Sequence, residues 1–278
     1  MTYALPPRPI LVTGCSSGIG RATAERLQIR GFRVFAAARA PSDVAALAQA
    51  GFEAVRLDLD SPASIRLALA SVLGATGGRL YGLVSNAAYG QPGAVEDLSR
   101  DALRRQFETN LFGTVELATL VIPLMRERRA GRLVFVSSIL GVVAMPLRGA
   151  YNASKHALEG LVDTLRLELR DSGIRVSLIE PGPIESRFRA HALEAAEAVD
   201  LEHSVHAARY AKLQATNRVP GGKMRFALPP DAVADKVQHA LESRWPRVRY
   251  FVTFPAYALS FLKRVLPASW MDALLARL

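Results

Sequence analysis

The chain has a single cysteine, Cys15, among 278 residues. That excludes an internal disulfide framework and any cysteine-rich zinc module, and it suits a reducing compartment. Long apolar runs are also missing. The most membrane-like stretch, Tyr250 to Leu262, is free of charge but only thirteen residues long, and spanning a bilayer takes roughly 20. Met1 to Pro9 holds one Arg and lacks the long apolar core of a secretory signal, so a soluble cytoplasmic protein is expected. The 20 Gly and 16 Pro follow no collagen-like period, and no repeat, low-complexity tract or long linker interrupts the chain. Acid is scarce beside base: 25 Asp+Glu against 35 Lys+Arg leave a net charge of +10. Such a balance raises nucleic acid, a membrane surface or an anionic ligand as partners. The basic residues are dispersed and accompany no nucleic-acid motif, so no nucleic-acid partner is expected. Most of the excess lies late: from Arg218 onward there are ten Lys+Arg against four Asp+Glu.

What is present is apolar and regular. Half the residues are hydrophobic and 22% are charged, with mean hydropathy +0.15, ample for a sizeable core. Strand patterns at Pro9–Thr13, Arg33–Ala38, Glu53–Leu57, Leu80–Ser85, Arg132–Ser137 and Arg175–Ile179 alternate with helix patterns at Ile19–Arg30, Ser42–Ala50, Arg100–Arg129 and Ala150–Asp171. Ser61-Pro62 opens a further helix at its cap and first turn. Such apolar strands separated by helices predict a parallel sheet buried on both faces: a Rossmann-type doubly wound α/β fold of about seven strands, read as a single domain over residues 1–278. Pro183 to Asn217 reads as two helices without an intervening strand. As an insertion after a strand's C-terminal end, residues 183–220 are expected to form a substrate lid, extra surface packing being the plainer alternative. Asp231–Ser243 reads as a helix and Tyr250–Thr253 as a last strand, within a basic, apolar, irregularly helical extension over 250–278.

Thr13-Gly14-Cys15-Ser16-Ser17-Gly18-Ile19-Gly20 falls where the first strand meets the first helix. Gly14 permits a tight turn, Gly18 lets a ligand approach the backbone and Gly20 allows close helix packing, while the helix N-terminus favours a pyrophosphate. After the second strand an acid would suit a ribose 2′-hydroxyl and a cation a 2′-phosphate. The strand ends Ala36-Ala37-Ala38-Arg39, with no acid. Arg39, with the hydroxyls of Ser16 and Ser17, therefore points to NADP(H) rather than NAD(H), a solvated surface Arg being the alternative. Asp58, followed by Leu59 after the third strand, is placed to accept from an adenine amino group, or else to cap a helix.

Tyr151-Asn152-Ala153-Ser154-Lys155 opens the helix after the fifth strand. Spacing of i, i+4 puts phenol and ammonium on one helix face, and a nearby ammonium favours tyrosinate, so the phenol can exchange a proton. Ser138 lies thirteen residues upstream, at the strand's C-terminal end.

In this order and spacing, the glycine turn, Ser138 and the Tyr151/Lys155 pair resemble the short-chain dehydrogenase/reductase family over nearly the whole chain. Asn110, in Thr109-Asn110-Leu111-Phe112-Gly113, and Pro181-Gly182-Pro183-Ile184 extend the match. The resemblance implies that Tyr151 is general acid in reduction and general base in oxidation. It implies that Lys155 lowers the tyrosine pKa and binds the nicotinamide ribose, that Ser138 polarises the carbonyl, and that Asn110 holds a water in a proton relay from Lys155. Asn110 also has a plainer reading, a helix kink that uses its amide. Asn86, Ala87 and Ala88 after the fourth strand, and Pro181, Gly182, Ile184 and Ser186 after the sixth, are implied cofactor contacts. Two positions depart from the family: Ala88 stands where Gly is usual, with a constrained backbone expected, and Ser186 stands where Thr is common. The resemblance implies a homodimer or homotetramer paired through the helices after strands four and five. No metal is expected, and a non-catalytic NADP(H)-sensing regulator is the alternative function.

Ile10 to Gly20, Arg39, His156-Ala157-Leu158-Glu159-Gly160 and Arg249-Tyr250-Phe251-Val252-Thr253 look like the hydroxysteroid and retinol dehydrogenase branch. That implies a bulky hydrophobic alcohol or carbonyl substrate. Leu140 to Leu147 and Tyr89 to Gly93 offer no fixed charge until Arg148, so the pocket is expected to be mainly apolar unless these residues are ordinary core. His203 and His206, at i, i+3, are expected to be solvated helix residues rather than zinc ligands. Around Lys263 and Arg264, Phe254, Tyr257, Leu259, Phe261, Leu262, Val265 and Leu266 form an amphipathic segment. It suits packing on the body or on another subunit, or peripheral membrane contact.

Overall fold

The computed structural model describes residues 8–188, 192, 195, 204–218 and 226–277. Seven strands form one parallel sheet: β1 (Pro9–Val12), β2 (Arg33–Ala38), β3 (Glu53–Arg56), β4 (Gly82–Ser85), β5 (Gly131–Val136), β6 (Ile174–Pro181) and β7 (Arg249–Val252). Their order is β3-β2-β1-β4-β5-β6-β7. The order reverses between β1 and β4, which opens a crevice above the strands' C-terminal ends. Strand periodicity divides the core. Leu11, Leu83 and Leu133 point into one helix layer, while Ile10, Val12, Val84 and Val134 point into the other.

Helices α1 (Gly18–Ile29), α2 (Pro41–Gln49), α3 (Pro62–Thr76), α4 (Arg100–Phe107), α5 (Thr114–Glu127) and α6 (Gly149–Glu168) follow the first five strands. Helix α3 starts as its sequence dictates: Pro62 occupies the first turn and the Ser61 hydroxyl accepts from the Ser64 N–H at 3.3 Å. It ends at Gly77, whose φ of 60° is the left-handed cap that favours glycine. The predicted helix over Arg100–Arg129 is divided. A π-helical turn, Glu108–Gly113, separates α4 from α5, and at its end Gly113 lies so close to the Leu59 carbonyl that a Cβ there would meet its oxygen at 1.9 Å. Strand β6 runs two residues beyond the expected Ile179, since Glu180 and Pro181 pair with Phe251 and Val252 of β7.

Past β6, α7 (Ala207–Arg218) is the second of the two helices expected before Asn217, while most of the first falls outside the described residues. An isolated bridge joins Ile184 to Leu228. Helix α8 (Asp231–Glu242) packs on α1 in the layer of Ile10 and Val12. The apolar end is two helices, α9 (Phe254–Val265) and α10 (Ala268–Leu275), separated at Leu266-Pro267. Their Ala256, Met271 and Leu275 share a third core with Ile139, Leu140, Val143 and Tyr151. The C-terminal segment thus packs on the body beside the predicted catalytic residues. No helix among the described residues is long and apolar enough to cross a membrane.

Candidate active site

A cleft of about 1640 Å³ lies along the C-terminal ends of the strands. At its nucleotide end, Gly14 (φ 71°) and Gly18 (φ 57°) shape the turn before α1. A Cβ on Gly14 would meet the Ala87 backbone at 2.9 Å, and one on Gly20 would meet the Gly14 oxygen at 2.1 Å. Only hydrogen fits at either position. The Thr13 hydroxyl accepts from the Asn86 and Ala87 N–H groups, both at 2.9 Å, and the Asn86 amide donates back to the Thr13 carbonyl at 3.0 Å. Asn86 is therefore a staple between the β1 and β4 loops. Ser17 precedes α1 without capping it through its side chain, and the helix has no acid in its first turn. Those N–H groups and the glycine cradle fit a pyrophosphate. Ser16, Ser17, Gly18, Ile19, Arg39, Asp58, Leu59, Ala87 and Ala88 line the same cleft. Ala88 is not among the residues with positive φ, so its methyl brings no backbone strain and the expected constraint is absent. One Asp58 oxygen accepts from the Asp60 N–H at 3.1 Å within the loop before α3, while the cap of α3 is Ser61, so Asp58 does not cap that helix. Cys15 is buried, donates to the Val12 carbonyl at 3.2 Å and has its thiol pKa pushed up to about 12 by burial, the opposite of a reactive thiolate.

At the other end, Ser138 closes β5. Its Oγ accepts from the Leu140 N–H at 3.1 Å, and its hydroxyl lies near Tyr151. Lys155, one turn beyond Tyr151 on α6, donates to the Val136 carbonyl at 2.9 Å, and its Nζ stands 5.8 Å from the centre of the tyrosine ring. Burial raises the Tyr151 pKa to about 12, with Ser138 and Arg148 opposing. Burial also lowers the Lys155 pKa to about 8, with Glu159 opposing. Desolvation acts on both partners against their charged forms.

Asn110 is fully buried and stands apart from the cleft lining. Its amide donates to the Tyr89 carbonyl at 2.9 Å and to the Ser154 hydroxyl at 3.1 Å, and accepts from the Tyr89 N–H at 3.1 Å. The helix irregularity that uses its amide is what the geometry displays. Pro181, Gly182, Ile184 and Ser186 border the cleft beyond β6. Phe188 then meets Tyr151 edge-on, ring centroids 5.4 Å apart, in space that Gly90 leaves free.

Residues 8–197 match the family model described as short chain dehydrogenase. The chain belongs to the short-chain dehydrogenase/reductase family. It is 42% identical over 275 residues to the uncharacterized oxidoreductase YbbO of Escherichia coli K12, covering 99% of this chain and 96% of that protein. It is 33% identical to human retinol dehydrogenase 5, covering 96% and 87% respectively; the resemblance to the retinol and hydroxysteroid branch thus extends along the whole chain. Among solved structures, a Burkholderia phymatum family member in complex with NAD superposes with a TM-score of 0.78 at 26% identity, covering 99% and 96%. An actinorhodin polyketide ketoreductase variant with NADPH gives 0.73 at 31%, covering 88% and 95%.

Other features of this dehydrogenase's cleft left weaker sequence signals. Leu140, Met145, Leu147, Phe188, Leu259 and Leu262 wall the catalytic end, so the expected apolar pocket takes two residues from α9. The segment beyond β6 docks on the β4–α4 connection through long-range polar contacts that sequence reasoning missed. The Tyr210 hydroxyl accepts from the Ala94 N–H and donates to Asp97, each at 2.6 Å, and Gln91 donates to the Ala195 carbonyl at 2.9 Å. His206 pairs with Glu96 at 2.6 Å; His191 and His203 lie outside the described residues, as do Arg189, Glu194 and Glu197. No group of three candidate metal ligands occurs among the described residues.

Proposed function

We propose that this chain is an NADP(H)-dependent oxidoreductase that transfers a hydride between nicotinamide and a carbonyl or alcohol carbon of a bulky hydrophobic substrate. One observation carries the reading: the buried Tyr151 sits between Ser138 and Phe188, one turn from Lys155, in a cleft continuous with the Gly14–Gly20 cradle. When bound, the nicotinamide supplies the hydride in reduction and accepts it in oxidation. Tyr151 gives its proton to the carbonyl oxygen as the carbon is reduced, and regains one through Lys155 and, in the family's relay, a water held near Asn110. Ser138 orients the oxygen. A phenol held protonated by burial is well suited to the acid role. Arg39, exposed at the cleft's edge without an ion pair among the described residues, favours a 2′-phosphate. The apolar wall favours steroid-, retinoid- or lipid-like bodies, and the Phe188 contact favours a lid over residues 183–220 of a single domain.

The reading includes a homodimer or homotetramer: Phe112, Leu161 and Leu167 expose apolar surface on the π-turn and α6. It also includes a cytoplasmic location and peripheral membrane contact through residues 250–278. A panel of hydrophobic alcohols with NADP⁺ and carbonyls with NADPH, followed at the nicotinamide absorbance, tests it. Turnover of a hydrophobic member is expected, and NAD(H) in parallel tests Arg39. A clear NAD(H) preference overturns the phosphate argument.

A further inference from the structure

Arg148 is the feature that hydride transfer leaves unused. It lines the catalytic end of the cleft, three residues before Tyr151, and its guanidinium is half-buried without a hydrogen bond or ion pair among the described residues. A cation withdrawn from water without an acceptor is costly. The cleft's own carboxylates do not offset it. Those lining the cleft are Asp43, Asp58 and Asp60, all beyond β2 or β3 at the far edge of the sheet from β5.

The backbone there is tightly determined. Leu147 adopts a left-handed φ of 60°, a conformation that costs a branched residue about 1–2 kcal/mol. The Gly93 N–H clamps it by donating to the Leu147 carbonyl at 2.9 Å, and Gly93 bridges to Arg148. On the other side Gly149 admits no side chain, since a Cβ would meet Val95 at 2.6 Å. A left-handed leucine held in place by Gly93, immediately before an unpaired cation, motivates a functional reading of Arg148.

We propose that Arg148 is an anion subsite, and that the physiological substrate is an amphipathic oxo- or hydroxy-acid: a carboxylate close to the reacting carbon, followed by an apolar chain. The inference rests on the oxidoreductase reading and narrows its substrate class. Residues three apart at a helix start are close neighbours, so the carboxylate belongs within a few bonds of the carbonyl that meets Tyr151. The walls of Leu140, Met145, Leu147 and Phe188 then receive the tail.

The test compares 4-oxododecanoate with its methyl ester, which differ in charge but hardly in shape. Wild-type enzyme is expected to favour the carboxylate in kcat/KM, mainly through KM, and Arg148→Gln to reduce that preference roughly 10- to 100-fold, as loss of a charged hydrogen-bonded partner does. Arg148→Lys is expected to keep an intermediate preference. An ester preference in the wild type overturns the proposal. So does an unchanged ratio in a folded Arg148→Gln protein, including the case where both substrates slow equally because Arg148 merely tunes Tyr151. If Arg148→Gln does not fold, competitive inhibition of the wild type decides: dodecanoate should inhibit well below the concentration of 1-dodecanol required, and equal potency sinks the subsite. If neither probe, nor any carbonyl, is turned over, the oxidoreductase reading fails separately. Calorimetric binding of dodecanoate, weakened by Arg148→Gln, would still establish the subsite, and absent binding would end it.

Discussion

Tyr151 is the residue on which the proposed chemistry turns, and its environment sets the pH behaviour. With its pKa pushed to about 12, the phenol stays protonated across the working range and can donate in reduction throughout it. Replacement by Phe removes that proton donor while leaving the apolar ring packed on Phe188. Turnover is expected to fall at least ~10²–10⁴-fold with cofactor binding, read by nicotinamide fluorescence, retained; full activity would rule the mechanism out. Lys155 behaves differently. Burial brings its pKa down to about 8, so the ammonium is present below that pH and lost as pH rises through it. A decline in kcat/KM is therefore expected as pH rises through about 8, and Lys155→Arg, whose guanidinium does not titrate there, should move the decline upward or abolish it. A profile that is the same in both proteins would assign the limb to another group. At the nucleotide end, Arg39→Asp places an acid where a 2′-phosphate would sit, and the NADPH/NADH ratio of kcat/KM should fall by roughly 10- to 100-fold. An unmoved ratio leaves Arg39 as a surface residue.

Among the elements, β7 is held by charge in an unusual way. Arg249, its first residue, pairs with Glu159 and Asp163 of α6 and Glu180 of β6, the last two at 2.6 and 2.5 Å. Glu180 is fully buried, and desolvation together with the nearby Glu159 carboxylate raises its pKa to about 7. The unfolded chain releases this proton near the ordinary glutamate value, the folded chain only near 7. Between those values the folded state binds more protons, so this group makes stability fall as pH rises from about 4.5 to 7. Glu180→Gln removes that dependence. Denaturant unfolding at pH 5 and pH 7.5 should show the variant gaining on wild type as pH rises, and a constant difference would contradict the buried proton. None of this network was visible in the sequence, because Glu159, Glu180 and Arg249 meet only when β6 and β7 pair. The strands themselves were legible, since period-2 burial leaves apolar runs such as Ile10-Leu11-Val12. So were the glycine turn and the Tyr151/Lys155 spacing, which are local. The division of the α4–α5 region was not, because the Gly113 approach to the Leu59 carbonyl and the Asn110 contacts that accompany it join segments far apart in sequence. Asn110 could be read as a kink or as a relay residue, and the kink's polar contacts with Tyr89 and Ser154 needed three separate segments in place. The docking of α7 on the β4–α4 connection through Tyr210 and Asp97 was equally illegible.

Across the molecule, the surplus of base no longer needs a single partner. Surface ion pairs such as Arg30 with Glu242 and Arg33 with Glu53 take one base and one acid each and so leave the surplus of +10 unchanged, and they contribute little to stability. What is distinctive is how Lys263 and Arg264 are placed. Helix α9 buries Ala256 and Ser260 and turns Phe254, Tyr257, Phe261 and Val265 outward, with Trp270 exposed on α10. Phe226 meets Phe254 at 5.5 Å, and both border the cleft, with Leu259 and Leu262 continuing the apolar lining inward. An apolar rim edged by two cations and continuous with an apolar cleft has the pattern of an interfacial helix, and under the proposed function it is the entrance for the substrate. Deleting the segment is not a clean probe, because Met271 and Leu275 of α10 complete the core around Tyr151. Surface changes are cleaner. Phe254→Ser with Phe261→Ser and Trp270→Ser should leave the melting temperature within a few degrees and abolish cosedimentation with phosphatidylglycerol-containing vesicles. Each basic residue near an anionic surface is worth about 1 kcal/mol. Lys263→Gln with Arg264→Gln should therefore weaken vesicle binding by roughly 10- to 30-fold, and added salt should weaken the wild type in the same direction. If the intact protein ignores anionic vesicles at low salt, the exposed rim belongs to a contact between subunits instead, and the same serine variants should then lower the oligomeric mass.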